Sequence, residues 1–132
     1  MSSIVRARGP LRISFAGGGT DVSPRCDKRG GAVLSATFAK YVRVTLVPYN
    51  DGRMGLHSLD YQTSVQCDIA DTLPFDGNLD LIKACIRRVY PNRGEGFDIY
   101  VYSDAPPSAG EGAWCALVVG VPAASGTGCS FP

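Results

Sequence analysis

Residues 8–22 read Arg-Gly-Pro-Leu-Arg-Ile-Ser-Phe-Ala-Gly-Gly-Gly-Thr-Asp-Val, a short alternating apolar segment that runs directly into three glycines and an acid. Leu11, Ile13 and Phe15 fall on one side of an extended segment, so we predict a strand whose side-chain packing stops where the glycines begin. Glycines lack a Cβ and let a ligand or another backbone approach closely, and the Asp21 carboxylate can accept hydrogen bonds from hydroxyl groups. The stretch therefore predicts a strand that delivers a polar loop to a binding site, although glycine clusters also form ordinary turns.

The composition predicts one globular domain in a chain of 132 residues. The net charge of +1 gives no broad field for nucleic acid or an anionic membrane, so a small-molecule or protein partner is favoured. The five cysteines are odd in number and widely spaced, which is typical of free thiols and not of a disulfide frame or a metal site. No signal peptide is evident, and the near-apolar run 113–124 is too short to span a bilayer. We expect a cytoplasmic protein.

The remaining pattern predicts a set of strands with one long helix. The first strand covers residues 4–16 and allows a break near Gly9 and Pro10, since proline cannot donate to a central ladder. Residues 22–31 predict an irregular segment or short helical turn, with Pro24 early in it and Gly30 and Gly31 ending it. Further strands are predicted at residues 32–38, 42–47, 54–59, 62–67 and 97–103, and the first four of these form an antiparallel set with a hairpin turn at 50–52.

The helix is predicted from Leu79, Ile82, Ile86 and Val89, which recur at helical spacing. Asn78 is its expected N-cap, and Pro91 follows its end. The helix carries three cationic side chains toward its C-terminal half, where the helix dipole favours them: Lys83, Arg87 and Arg88. We interpret them as a solvated face.

Residues 10–22 resemble the first motif of the GHMP kinases, the superfamily of galactokinase, homoserine kinase, mevalonate kinase and phosphomevalonate kinase. The string Phe-Ala-Gly-Gly-Gly-Thr-Asp is similar to the branch that contains D-glycero-D-manno-heptose 7-phosphate kinases and fucose kinases. The resemblance implies an α+β fold of the ribosomal-S5-domain-2-like type, with a mixed sheet and helices on one side. It implies an incomplete N-terminal kinase domain at residues 1–120, followed by a tail, 121–132, that matches nothing expected in the family.

A second loop follows the last predicted strand, where residues 104–112 lead into an apolar segment, the order expected of phosphate binding at a helix N-terminus. It is neither a Walker loop nor a dinucleotide fingerprint. It resembles the second GHMP motif, Pro-x-x-x-Gly-Leu-Gly-Ser-Ser-x-Ala, which cradles the ATP phosphates. Its centre departs from that pattern, with Glu111 in place of leucine and Ala113 and Trp114 in place of two serines. The resemblance implies ATP and Mg²⁺ as cofactors and four nucleotide-binding residues, Pro107, Gly110, Gly112 and Ala113.

The same resemblance implies that ATP phosphorylates the anomeric hydroxyl of a heptose 7-phosphate, a small-molecule partner. Arg12 is the implied catalytic residue, since a guanidinium stabilises charge on a transferring phosphoryl group. The implied substrate-binding residues are Gly17, Gly18, Gly19, Thr20 and Asp21. His57 is interpreted as structural, and Asp104 as a turn cap that the family context also places near phosphate. Because the second motif is altered and the third motif and usual catalytic aspartate of the family are absent from the sequence, we expect little kinase activity. The alternatives are a non-catalytic binding module or decayed fragment, and a fucose-type sugar kinase.

Overall fold

A five-stranded mixed sheet forms the centre of the fold in the computed structural model, which describes residues 4–49, 51–68, 73–89 and 96–106. Across the sheet the strand order is β1-β2-β5-β3-β4, with β3 and β5 parallel and the other neighbouring pairs antiparallel. The strands are β1 (Val5–Ala16), β2 (Leu34–Tyr49), β3 (Arg53–Ser58), β4 (Thr63–Asp68) and β5 (Gly96–Ser103), the helices are α1 (Arg25–Arg29) and α2 (Asp80–Val89), and one 3-10 turn covers Gly18–Thr20. The α+β class with a mixed sheet is confirmed.

Strand β2 is one continuous strand, so the prediction of two strands at residues 32–38 and 42–47 was wrong. Its pairing with β1 shifts register where the partner of Pro10 is Tyr41 and the partner of Leu11 is Phe38. This bulge accommodates the change of pattern without ending the strand. Pro10 does not break β1, because β1 lies at the edge of the sheet and a missing N–H is tolerated there.

The turn at residues 50–52 does not close a hairpin between β2 and β3, which corrects another prediction. Gly52 reverses the chain with a φ of 70°, but β5 lies between the two strands and pairs with both. Gly96 at the start of β5 permits this insertion, because a Cβ there would lie 2.5 Å from the Arg53 carbonyl oxygen. The predicted antiparallel set of residues 32–67 is therefore not continuous, because β5 separates β2 from β3. The antiparallel pairing of β3 with β4 is confirmed.

The core lies between one face of the sheet and helix α2, and we call this region the packed half. Alternate side chains of β2, β5 and β3 point into it, as the period of a strand requires. Its buried apolar members are Leu11, Val42, Val44, Met54, Leu56, Leu73, Ile82, Cys85, Ile86, Phe97, Ile99 and Val101.

Helix α2 begins at Asp80, two residues after the predicted N-cap. The Leu79 carbonyl accepts the first helical hydrogen bond from the Lys83 amide at 3.1 Å, so Leu79 is the N-cap and Asn78 is not. The Asp80 carboxylate instead accepts hydrogen bonds from the amides of Asp76 and Gly77, at 3.2 and 3.0 Å. These contacts tie the preceding turn onto the first turn of the helix.

Lys83 is buried, with 0% exposure, so its interpretation as part of a solvated face was wrong. Its Nζ donates to the Pro74 carbonyl at 3.0 Å and to the Asp76 carboxylate at 2.6 Å. The hydrogen bond from Lys83 is the main reason that the pKa of Asp76 is lowered to about 2. A buried cation needs such partners, and the side chain thereby joins the turn to the helix.

The far ends of β1 and β2 extend beyond the rest of the sheet, and we call residues 10–16 and 34–41 the projecting hairpin. Strand β5 pairs with β2 only from Val42 to Tyr49, so the projecting hairpin has two strands. Leu11 is 3% exposed, but Ile13 and Phe15 are 47% and 65% exposed. Side-chain packing therefore stops at Leu11, earlier than the sequence predicts.

Candidate functional site

Both predicted loops lie toward the same end of the sheet. Strands β1 and β5 are each antiparallel to β2, so they run in the same direction, and their carboxyl ends point the same way. The loop at residues 17–21 follows β1, and residues 104–106 follow β5. The two ends are not level, because β1 ends opposite Leu34 and β5 ends opposite Val42, roughly 25 Å apart along β2.

The first loop, which we call the glycine loop, covers residues 17–21 and is closed by Thr20. The Thr20 hydroxyl donates to the Gly17 carbonyl at 2.7 Å and accepts from the Ala32 amide at 3.1 Å. Gly17 adopts a φ of 86°, and a Cβ there would lie 1.9 Å from the Ala32 carbonyl oxygen. The space beside Gly31 is also restricted, since a Cβ added there would lie 2.3 Å from the Thr20 carbonyl oxygen. Gly17 and Thr20 therefore shape the loop, and the Thr20 hydroxyl is already engaged.

The other three residues of the glycine loop face free space. A Cβ on Gly19 would meet nothing within 4 Å, and one on Gly18 would meet only the Ser14 hydroxyl at 3.6 Å. Asp21 is exposed, and its carboxylate makes no hydrogen bond or ion pair within the part of the chain that the structure describes. Open backbone beside an unengaged carboxylate is an arrangement that can accept a polyhydroxylated ligand.

Arg12 lies in the projecting hairpin, opposite Thr37. Alternation along the strand places it on the face opposite that of Leu11 and Ile13, and it is exposed. Its guanidinium forms no hydrogen bond or ion pair with any described residue, so all its donors are available to a ligand. Arg12 lies in β1, the strand that leads into the glycine loop, and it makes no polar contact with that loop.

The exit from β5 is held by two aspartates from different elements. The Asp104 carboxylate accepts from the Tyr41 amide at 3.0 Å and pairs with Arg43, while the Asp104 amide donates to the Tyr41 carbonyl at 2.9 Å. Asp60, in the loop between β3 and β4, accepts from the Ser103 amide at 2.9 Å. Residues 103–104 therefore leave the sheet in a fixed direction, beside Tyr41.

The two aspartates have pKa values shifted in opposite directions. The hydrogen bond from Arg43 holds the pKa of Asp104 below its ordinary value, and the Tyr41 amide adds to this. Burial raises the pKa of Asp60, against the lowering effect of the Ser103 amide. The sequence predicts Asp104 as a turn cap, whereas no local pattern indicates Asp60, because its partner Ser103 lies 43 residues away.

The predicted nucleotide-binding residues Pro107, Gly110, Gly112 and Ala113 lie outside the described residues, as do Glu111 and Trp114. Within the ranges that are described, no group of three or more His, Cys, Asp or Glu side chains is arranged to hold a metal ion. The two oxygens of the Asp104 carboxylate are engaged by the Tyr41 amide and the Arg43 guanidinium. None of the described helices is long and apolar enough to cross a membrane.

A polar cluster centred on His57 lies on the face of the sheet opposite the core. Its Nδ1 is 2.9 Å from the Ser64 hydroxyl, its Nε2 is 3.6 Å from the Asp98 carboxylate, and its ring stacks on Tyr100 at 4.6 Å. Gly55 makes room for this packing, since a Cβ there would lie 2.1 Å from Asp98. The cross-strand pairing brings Ser64 to His57, a neighbour that the sequence analysis did not find.

Comparison with known proteins shows which proteins share the sequence and fold of this chain. No protein-family model matches the chain. The chain is 37% identical over 120 residues to a D-glycero-alpha-D-manno-heptose 7-phosphate kinase of Campylobacter jejuni; this match covers 89% of the chain and 35% of that kinase. The chain thus spans about a third of the length of this curated relative.

Two solved structures give the fold. A D-glycero-D-manno-heptose 1-phosphate kinase from Bacteroides thetaiotaomicron superposes with a TM-score of 0.81 at 37% identity, over 97% of this chain and 43% of that one. The mevalonate kinase of Methanococcus jannaschii, at 18% identity, superposes with a TM-score of 0.74 over 99% of this chain and 42% of that one, and shows the fold alone. The mixed sheet of this chain therefore has the fold of the N-terminal part of these two kinases. In sequence and fold the chain is similar to the N-terminal part of GHMP-superfamily kinases.

Proposed function

We propose that this chain forms the sugar-binding part of a kinase that transfers the γ-phosphoryl group of ATP to the anomeric hydroxyl of D-glycero-D-manno-heptose 7-phosphate. One observation carries the proposal. The glycine loop combines open backbone at Gly19 with an exposed, unengaged carboxylate at Asp21, in a chain 37% identical to a heptose 7-phosphate kinase. A sugar offers hydroxyls that donate to a carboxylate and a flat edge that lies against glycine backbone.

Each described residue has a limited role in this proposal. Asp21 accepts hydrogen bonds from sugar hydroxyls and orients the ring, and Gly18 and Gly19 admit it to the backbone. Gly17 and Thr20 hold the loop in shape through contacts with Ala32. Arg12 supplies a free guanidinium that stabilises negative charge on the transferring phosphoryl group.

The nucleotide side of the site rests on the family resemblance. Bound ATP supplies the phosphoryl group, and Pro107, Gly110, Gly112 and Ala113 are the residues that would hold its phosphates. The described residues include no group of three or more His, Cys, Asp or Glu side chains that could hold Mg²⁺. The described chain contributes orientation of the sugar and charge stabilisation, which are the main needs of phosphoryl transfer.

Calorimetric titration of heptose 7-phosphate into the chain tests the sugar site. Replacing Asp21 with alanine should weaken binding about tenfold, which corresponds to ~1.4 kcal/mol, the contribution of a hydrogen bond to a charged group. Asp68→Ala is the matched control, because Asp68 is also exposed but lies at the end of β4, away from the glycine loop. Equal affinity of the Asp21 variant and the unsubstituted chain would contradict the assignment.

A non-catalytic sugar-binding module is the second candidate, favoured by the residues at the centre of the second motif. Glu111 places a carboxylate where phosphates are expected, and Ala113 and Trp114 lack the hydroxyls of the two serines. This candidate predicts sugar binding without ATP consumption. Turnover on the order of 1–100 per second in an ATP-consumption assay with heptose 7-phosphate would exclude it, since that is the ordinary range for kinases.

A further inference from the structure

Helix α1 carries three cationic side chains on one face, and we call this set the α1 cations: Arg25, Lys28 and Arg29. They stand at i, i+3 and i+4, so the helix places them within about 100° of one another around its axis. All three are exposed, and none forms an ion pair with another residue of the described chain. Like charges at these spacings repel each other and lower the stability of a helix. An anion bound to this face would relieve that repulsion.

The acidic residue of α1 does not neutralise these cations. Asp27 stands at i+2, on the other side of the helix, and both of its carboxylate oxygens are engaged. The Ser23 hydroxyl donates to Oδ2 and the Cys26 thiol donates to Oδ1. In helix α2, by contrast, the Lys83 ammonium is paired with the Asp76 carboxylate at 2.6 Å. The charge of the α1 cations is therefore available to a ligand.

Both ends of the segment that contains α1 are fixed to the glycine loop. The segment, residues 22–31, follows Asp21 directly, and at its end a Cβ on Gly31 would lie 2.3 Å from the Thr20 carbonyl oxygen. The Ala32 amide then donates to the Thr20 hydroxyl at 3.1 Å. Since a helix of this size is only about 7.5 Å long, the α1 cations stay close to the glycine loop. Asp21 nevertheless forms no ion pair with any of them, so its carboxylate and the α1 cations remain separate.

We propose that the α1 cations bind the 7-phosphate of the sugar substrate while the Asp21 carboxylate binds its ring hydroxyls. This inference rests on the proposed function and adds to it the residues that select a phosphorylated sugar. A phosphate monoester carries a charge of about −1.5 to −2 at pH 7 and has three acceptor oxygens. A guanidinium donates two parallel hydrogen bonds to such a group, and an ammonium adds a point charge. The carboxylate repels the phosphate, so the two ends of the ligand are directed to different side chains.

Calorimetric titration with two ligands, heptose 7-phosphate and the same heptose without its phosphate, tests this assignment. The unsubstituted chain should bind the phosphorylated sugar roughly tenfold more tightly, because hydrogen bonds to charged groups are the stronger ones. The double variant Arg25→Gln/Arg29→Gln should lose most of this preference and bind the unphosphorylated heptose as before. Arg6→Gln/Arg53→Gln is the matched control, since it removes the same charge from two exposed arginines that lie outside α1 and the glycine loop.

The outcomes separate this inference from the proposed function. A preference for the phosphorylated sugar that persists in Arg25→Gln/Arg29→Gln, with native circular dichroism, would overturn the inference and leave the sugar site intact. An unsubstituted chain that binds both sugars equally would do the same, and this measurement needs no variant. Loss of Mg-ATP binding in the double variant, with unchanged binding of heptose 7-phosphate, would also overturn it, because the α1 cations would then serve the nucleotide. Failure of both sugars to bind the unsubstituted chain would contradict the proposed function, and the inference with it.

Discussion

The packed half and the projecting hairpin are built from the same two long strands and differ in what covers them. In the packed half β2 has β5 beside it and α2 above it, and Val42 and Val44 are 1% and 0% exposed. In the projecting hairpin the same strand has only β1 beside it, and Leu34 is 65% exposed. A two-stranded ribbon is marginally stable by itself, so the projecting hairpin depends on the packed half for its order.

Because of this difference, the residues that stabilise the fold and the candidate sugar-binding residues lie in different parts of the sheet. Apolar burial, the main stabilising contribution, is concentrated where the sheet is wide. The candidate sugar-binding residues lie at the tip of the projecting hairpin, where little apolar surface is buried. Substituting a residue that makes no close contact there should therefore change the free energy of unfolding only slightly. A site placed this way can change its ligand contacts without disturbing the core.

The largest expected effect comes from comparing two isoleucines. Ile99→Ala removes a side chain that is 1% exposed in β5, and should lower the free energy of unfolding by about 4 kcal/mol, through lost burial and a residual cavity. Ile13→Ala, at 47% exposure in the projecting hairpin, should cost less than about 1 kcal/mol. Urea unfolding followed by circular dichroism measures both. Equal losses would mean that the two regions form one continuous core.

Much of this architecture could be predicted from periodicity. The alternation of Phe97, Ile99 and Val101 identified β5, and the spacing of Ile82 and Ile86 identified α2. The sequence also located the glycine loop at the end of β1, because the change from alternating residues to glycines is local. These features depend on neighbours within a few positions, which a pattern can report.

The missed features depend on partners distant in sequence. The insertion of β5 between β2 and β3 has no local signal, and the turn at Gly52 resembles that of a hairpin. Lys83 appeared to belong to a solvated face, yet its ammonium is held by Pro74 and Asp76 in a turn that the helix pattern does not reveal. In the candidate site, Gly17 and Gly19 look equivalent in sequence, and only the contact with Ala32 distinguishes them.

That contact extends the comparison to the glycine loop, at the tip of the projecting hairpin. Gly17→Ala introduces a Cβ at 1.9 Å from the Ala32 carbonyl with φ at 86°, so it should cost about 1–3 kcal/mol of strain or distort the loop. Gly19→Ala meets nothing within 4 Å and should leave the unfolding free energy within about 0.5 kcal/mol of the parent chain. Urea unfolding gives both values, and sugar-phosphate titration of Gly19→Ala reports whether ligand approaches there. A neutral Gly17→Ala would show that the loop is not closed as described.

The smallest expected effect concerns the border between the two regions, where Asp60 and Asp104 hold the exit of β5 and should give opposite pH dependences. The folded-state pKa of Asp104 is lowered, so its stabilisation is present above the unfolded pKa and is lost as pH falls through the folded value. The folded-state pKa of Asp60 is raised, so its contribution is present below the unfolded pKa and is lost as pH rises through the folded value.

Urea midpoints measured from about pH 3 to about pH 6 should therefore rise less steeply with pH in Asp104→Asn, and more steeply in Asp60→Asn, than in the unsubstituted chain. Asparagine can still accept the amide hydrogen bonds from Tyr41 and Ser103, so each variant changes the titration and keeps the tether. Parallel pH profiles for all three chains would mean that the charge of neither carboxylate changes the free energy of unfolding, and that the amide hydrogen bonds, which asparagine also accepts, hold the exit of β5.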